Sequence, residues 1–178
     1  IADVVEINIQ MMSALKAKQV MGKYVSPESR TLPAGWKDPE EYWASHYNIQ
    51  YVTAFNTKQV PVQEAPKSLE DLLDPKWKGK INADPTKPQW FIAQLDRMGR
   101  DKAMAYMKKL GEQQLTARNY STTIQLLSSG EVIMDLFNPL ARVEEFKRKG
   151  APMDWARITP VIVSTGGLGI TSHPPHPN

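Results

Sequence analysis

Three short stretches carry the residues best suited to chemistry. Residues 119–125, Asn-Tyr-Ser-Thr-Thr-Ile-Gln, place Ser121, Thr122 and Thr123, with Tyr120 beside them, ahead of a helical pattern. Hydroxyl groups and the unpaired N–H groups of a helix start are donors to an anion. Plain capping is the competing reading, because Thr122 with Gln125 is itself a capping box. Residues 83–90, Ala-Asp-Pro-Thr-Lys-Pro-Gln-Trp, lie between a strand end and a helix start, where open α/β sheets bind ligands. There Asp84 can accept from a ligand ammonium or join a metal, and Gln89 and Trp90 can hydrogen-bond and stack. The alternative is a proline-rich turn with Trp90 packed inward. In residues 135–142, Asn138 either caps a helix or meets a ligand, and Arg142, one turn on, can grip a carboxylate or phosphate bidentately. Glu6, Tyr47 and Tyr51 flank two predicted strands, where each is either structural or a ligand contact.

Other chemistries find little support. His173 and His176 stand three apart, but the intervening prolines forbid the helix that would aim both at one metal. The sequence has no cysteine, which excludes disulfides, thiol catalysis and cysteine-ligated metals. It has no G-x-S-x-G, no H-E-x-x-H and no phosphate-cradling glycine loop. The glycines of Thr165 to Gly169 follow a strand without a helix behind them, and read as a flexible return strand. No cofactor is expected. Net charge is +3, with cations interleaved among acids, and the run Lys147-Arg148-Lys149 suits a helix end better than a nucleic-acid patch. No segment approaches the roughly 20 apolar residues that span a bilayer, so direct membrane insertion is not expected.

These residues need a scaffold, and its outline is legible. Residues 3–7 predict a strand, followed by a helix with Met11, Met12, Ala14 and Leu15 on one side. Residues 23–46 are irregular and aromatic-rich, and residues 49–56 predict a second strand. From Ser68 the pattern becomes regular. A helix capped at Ser68 is stopped by Pro75, and a strand follows at residues 80–83. A helix from Pro88 buries Ile92, Leu95 and Met98; another, capped by Asp101, buries Met104, Met107 and Leu110. Helix 122–129, strand 132–137, a helix from Asn138 with Leu140, Val143 and Phe146 inward, and strand 158–164 complete the run. Alternating strands and helices predict an α/β fold.

The stretches "DLLDPKWKGKI" (71–81), "SSGEV" (128–132), "KRKGAPMDW" (147–155) and "HPPHPN" (173–178), with "ADVVE" (2–6) and "FNTKQV" (55–60), stand in an order that resembles a family. It is that of the periplasmic substrate-binding proteins of ABC importers, of the iron(III)-type or family 1 extracellular solute-binding group. The resemblance implies a periplasmic-binding-protein type II fold, present here as one complete lobe plus part of the other. It implies a partial first lobe and first crossing strand over residues 1–56, a second lobe over 57–160, and a return crossing with more of the first lobe over 161–178. Starting at Ile1 without a leader, the sequence is expected to be a processed or excised piece.

The resemblance further implies a small-molecule ligand, a membrane ABC permease as partner, a periplasmic or lipid-anchored extracellular location, a full-length monomer and no enzymatic activity. It makes the stretch around Ser121 a ligand-contacting loop. Iron-binding members place two adjacent tyrosines where Leu140 and Ala141 stand here. That departure favours an organic or oxyanionic ligand captured by closure of two lobes. Ferric binding through a non-standard ligand set, or a small α/β enzyme using the same cleft, stand as alternatives.

Overall fold

Apolar residues alternating with polar ones along short strands, and recurring at helical spacing between them, produce a mixed α/β molecule. The computed structural model describes residues 2–176, apart from the side chain of Tyr120. In chain order, β1 is Val4–Asn8, α1 Ile9–Ala17, β2 Met21–Gly22, β3 Ala44–Asn56, β4 Ile81–Asn82 and α2 Gln89–Met98. Then come α3 Arg100–Gly111, α4 Tyr120–Ser129, β5 Met134–Pro139, α5 Leu140–Arg148, β6 Met153–Trp155 and β7 Ile162–Thr171. The chain forms two units, Ile1–Ile49 with Val163–Asn178, and Gln50–Ile162. One change of unit falls inside β3 and the other at the start of β7.

In the first unit β7 runs antiparallel to β1, from Val4 opposite Ile170 to Asn8 opposite Gly166, and pairs with β2 through Met21 and Thr171. Asn8 caps α1, its Oδ1 accepting from the Met11 N–H at 2.9 Å. Of the four apolar residues expected to face inward on α1, only Met12 is buried, while Met11 is 47% exposed. The reason lies in β7. A Cβ on Gly167 would sit 3.0 Å from Met12 Cγ, so that one side chain occupies the space the glycine leaves. The glycine-rich run expected to be a flexible return lies within a regular strand.

The second unit holds the larger core. Here β3 pairs antiparallel with β5 and β6, and β4 pairs parallel with β5, placing Ile81 beside Met134 and Asn82 beside Asp135. Side chains alternate across a strand. On one side Phe55, Ile81, Met134 and Leu136 join Leu72, Trp77, Trp90, Tyr106 and Leu110 in one apolar cluster. A second cluster joins Val52 and Ala54 to Ile124 and Leu127 of α4, Val143 of α5 and Met153.

Several helical expectations need correction. The helix expected from Ser68 is two 3-10 turns, Glu70–Leu73 and Pro75–Trp77. The reciprocal cap does form: the Asp71 N–H donates to Ser68 Oγ at 3.1 Å, and Asp71 Oδ2 accepts from the Ser68 N–H at 3.2 Å. Asp74 and Pro75 then restart the turn before an α-helix can propagate, since Pro fixes its own φ and lacks an N–H. Buried Leu72 and Trp77 anchor the segment. In α2 the inward residues are Trp90 and Gln94, and Ile92 is exposed; in α3 they are Ala103, Tyr106 and Leu110, and Met104 is exposed. The larger Trp90 and Tyr106 rings take the inward direction, 6.3 Å apart, and set the rotation of both helices. Gly99, not Asp101, holds the cap position of α3, and Asn138 does not cap α5 but ends inside β5.

Candidate functional site

The second unit contains a buried polar cluster where β4 ends beside β5. Asn82 and Asp135 are buried polar residues on the paired strands, and the parallel register sets them side by side on the face that α4 covers. Asn82 is the hub. Its Nδ2 donates to Asp135 Oδ1 at 2.7 Å and to the Arg118 carbonyl at 3.1 Å, and lies 3.5 Å from Thr123 Oγ1. Its Oδ1 accepts from the Arg118 N–H at 2.9 Å and from Thr116 Oγ1 at 3.0 Å. The other Asp135 oxygen accepts from Asn138 Nδ2. Asn82, Thr123 and Asn138 are 0% exposed and Asp135 1%, so the group is shut from water. Asn138 Oδ1 is buried with no partner.

Burial raises the Asp135 carboxyl to about 7, because removing a carboxylate from water disfavours its charged form. The hydrogen bonds from Asn82 and Asn138 lower it, and the like charge of Asp84 raises it further. Asp84, in the loop after β4, is 7% exposed and accepts from Thr86 through its N–H at 2.8 Å and its hydroxyl at 2.7 Å.

The start of α4 lies against this cluster, but its donors are engaged at home. Asn119 Oδ1 accepts from the Ser121 N–H at 2.8 Å. The Asn119 carbonyl accepts from the Thr122 and Thr123 N–H groups, both at 3.2 Å, and from their hydroxyls at 3.0 and 2.8 Å. Asn119 is thus the cap, in place of the Thr122–Gln125 box. The Thr122 and Thr123 hydroxyl hydrogens, two of the three expected to face an anion, point at a backbone oxygen.

The structure brings together Asp84, Thr123 and Asn138 from the sequence-predicted set, with Ser121 and Thr122 exposed on the turn above Thr123. The side chain of Tyr120 lies outside the described residues. Gln89 opens α2, its Oε1 buried and unpartnered, and Trp90 packs in the apolar core. Arg142 is half-buried in the first turn of α5. Tyr51 stacks on Phe137 with ring centroids 3.9 Å apart and planes 3° off parallel. In the first unit, Glu6 is exposed with its carboxylate 3.5 Å from His46 Nε2, and the Tyr47 ring covers Gly166. His176 pairs with Asp3 through its N–H at 2.7 Å and Nδ1 at 3.1 Å. Among the described residues no group of three or more His, Cys, Asp and Glu could hold a metal. No helix among them is long and apolar enough to cross a membrane.

Asn82, Thr116 and Asp135 escaped selection from sequence. Their signal was present: Asn82 between the apolar Ile81 and Ala83, and Asp135 as the one polar residue within "VIMDLF". An isolated buried polar residue needs partners, and those partners are set by register, which the sequence does not state.

The profile of the bacterial extracellular solute-binding proteins matches residues 1–142. The chain belongs to this family. Such proteins are binding proteins that work outside the cytoplasmic membrane. No curated protein sequence matches the chain significantly. Among solved structures, iron-bound HitA from Pseudomonas aeruginosa superposes with a TM-score of 0.83 at 21% identity, over 99% of this chain and 60% of that one. AfuA from Actinobacillus pleuropneumoniae, with exogenous fructose-6-phosphate bound, gives 0.80 at 24%, over 99% and 60%. Trichodesmium IdiA (FutA), in complex with iron and citrate, gives 0.78 at 20%, over 99% and 61%. The fold is that of the type II periplasmic binding proteins, with one lobe and part of the other. The chain spans about 60% of the length of those structures.

Proposed function

We propose that this chain belongs to the solute-capturing component of an ABC importer, and that its second unit supplies one wall of the solute site. The observation that carries this reading is the Asn82–Asp135–Asn138 cluster, which starts at the C-terminal end of β4 and runs along β5 to Asn138 near its C-terminal end, the side of α/β sheets where small ligands bind. It is a buried polar group that contributes no apolar packing and leaves one oxygen unpartnered. In the full-length protein, two lobes closing on the solute bring the second set of contacts and pass the captured solute to a membrane permease. Ser121, Thr122, Asp84 and Asn138 are the contacts proposed for this wall.

The solute is a small organic molecule in this reading. An oxyanion is the second possibility, supported by the sugar phosphate of AfuA, although the self-capped start of α4 offers it few free donors. Ferric ion, which the HitA and FutA structures hold, is the third possibility; the paired tyrosines that the resemblance implies for iron-binding members are Leu140 and Ala141 here, which speaks against it.

Native mass spectrometry of the purified chain, set against its denatured mass, tests the proposal. A mass excess lost on denaturation, and abolished in an Asn138→Ala variant that still folds, is the expected result. An excess that survives Asn138→Ala overturns the assignment of this wall.

A further inference from the structure

A recess in the second unit opens on its larger apolar core, and it shares no residue with the proposed wall. It has a volume of about 430 Å³ and lies between the 3-10 turn Glu70–Leu73, the end of α2 and one face of α3. Its floor is apolar. Leu69 and Tyr106 are 4% and 7% exposed, and Leu73 and Met98 are half-buried beside them. The Tyr106 hydroxyl is turned to the Leu69 carbonyl at 2.7 Å, so the ring offers its apolar body. A volume of this order is ordinary for a small-molecule site.

The rim is charged. Arg97 comes from the last turn of α2, and Lys102 and Lys109 stand at either end of the α3 stripe that carries Ala105 and Tyr106. At 1.5 Å per residue the two lysines leave the helix about 10 Å apart. Glu70 is the one acid on the rim, so three cations against one acid leave an excess of two positive charges. Glu70 and Arg97 act on the Tyr106 phenol in opposite directions, which places both close to the floor. Among the described residues none of the three cations enters a salt bridge, whereas Lys16, Arg118, Lys147, Lys149 and Arg157 each pair with an acid. Arg97 and Lys109 sit in the last turns of their helices, where a cation complements the helix dipole. Lys102 sits in the first turn of α3, where the dipole opposes it. Helix stability therefore accounts for the first two and not for Lys102.

We infer that this recess takes a small organic anion, a carboxylate on an aliphatic or aromatic body. The body covers Leu69, Leu73, Met98 and the Tyr106 ring, and the carboxylate is drawn to Lys102 and its neighbours on the rim. Burial of the body supplies affinity, and the rim selects the sign of the charge. A protein partner would need roughly 800 Å² of contact on its own side. Here exposed Glu70, Arg97, Lys102 and Lys109 ring the recess instead of a continued apolar surface.

Octanoate, octylammonium and octan-1-ol share one tail and differ in charge, and proton–nitrogen NMR spectra of the chain follow a titration with each, below micelle formation. The expected result is that octanoate shifts the amides of residues 69–73, 97–98 and 102–109 and binds about tenfold tighter than octan-1-ol, with octylammonium weakest. Raising sodium chloride from about 0.05 M to about 0.5 M should weaken octanoate and leave octan-1-ol unchanged. Lys102→Glu combined with Lys109→Glu should remove the preference for octanoate. Ala105→Phe, at an exposed position on the wall, should close the recess to all three probes. If a variant fails to fold, the wild-type charge and salt dependence decide. Octan-1-ol binding as tightly as octanoate, or octylammonium binding tighter, overturns the inference. Octanoate shifts confined to other residues also overturn it. Co-sedimentation with vesicles of phosphatidylcholine and phosphatidylglycerol, without octanoate binding, overturns it and gives the patch to a membrane surface. Binding of none of these probes overturns it as well, and each of these outcomes leaves the solute-binding wall standing.

Discussion

Asn82 and Asp135 lie opposite one another on parallel strands, Nδ2 to Oδ1 at 2.7 Å, and neither reaches water. A neutral amide thus gives a buried carboxylate its best-defined donor, and no cation shares the work among the causes that set its charge. The arrangement costs stability when Asp135 is ionised, and it makes the cluster responsive to pH.

Asp135→Asn should stabilise the chain at alkaline pH. The native carboxyl titrates at about 7, above the unfolded value of about 3.9, so the native state keeps its proton longer. Stability from this group is fully present below the unfolded value and is lost as pH rises towards 7 and beyond. Relative to the variant, the wild type should lose about 2–3 kcal/mol between pH 5 and pH 8. The introduced amide keeps an acceptor oxygen for Asn82, and a turned Asn138 oxygen receives its new N–H. Urea unfolding of both proteins at the two pH values measures the difference. A wild type that gains on the variant with rising pH would contradict the raised carboxyl.

Asn82→Ala should be costly at every pH. It leaves the Arg118 N–H and Thr116 Oγ1 without their acceptor and Asp135 without one of its donors. The expected loss is about 2–4 kcal/mol, read by chemical denaturation. Asn82→Asp keeps the shape but sets a second carboxylate against Asp135. Its penalty should therefore grow between pH 5 and pH 8, whereas that of Asn82→Ala should change much less.

How far the sequence disclosed this site depends on what each residue answers to. The α/β class and most strands follow from local alternation, and Ser121 to Thr123 announced a helix start. Asp84 and Asn138 were visible because each stands beside a proline at an element boundary. Asn82 and Asp135 were not, because their meaning comes from a register between residues 53 positions apart. The faces of α2 and α3 were misjudged for a related reason. Ile92 and Met104 fit a helical stripe as well as Trp90 and Tyr106 do, and mutual packing of the two aromatic residues decides between them.

The glycines of β7 make a graded prediction. A Cβ on Gly169 would meet the Tyr42 carbonyl oxygen at 2.5 Å and Met21 Cε at 2.6 Å; on Gly166 it would meet the Tyr47 ring at 2.3 Å. A ring 37% exposed can swing towards solvent, but the Tyr42 carbonyl moves only with the main chain that carries it. Gly169→Ala should therefore cost about 2–3 kcal/mol and Gly166→Ala about 1 kcal/mol. Thermal unfolding ranks the two, and the reverse order would place the rigid contact at Tyr47.

Trp90 offers the sharpest separation of packing from binding. It is 7% exposed, within the core cluster that holds Tyr106, whose hydroxyl donates to the Leu69 carbonyl at 2.7 Å. Burial raises the Tyr106 phenol well above its ordinary value, so it remains a donor throughout the working pH range. Trp90→Ala should cost about 3–5 kcal/mol by opening a cavity. Tyr106→Phe should cost about 1–2 kcal/mol, because the Leu69 carbonyl loses a buried donor. Trp90→Phe keeps an apolar ring against Tyr106 and should leave solute affinity unchanged while lowering the unfolding midpoint. A Trp90→Phe chain that unfolds like the wild type but no longer captures solute would move Trp90 from the core to the binding wall.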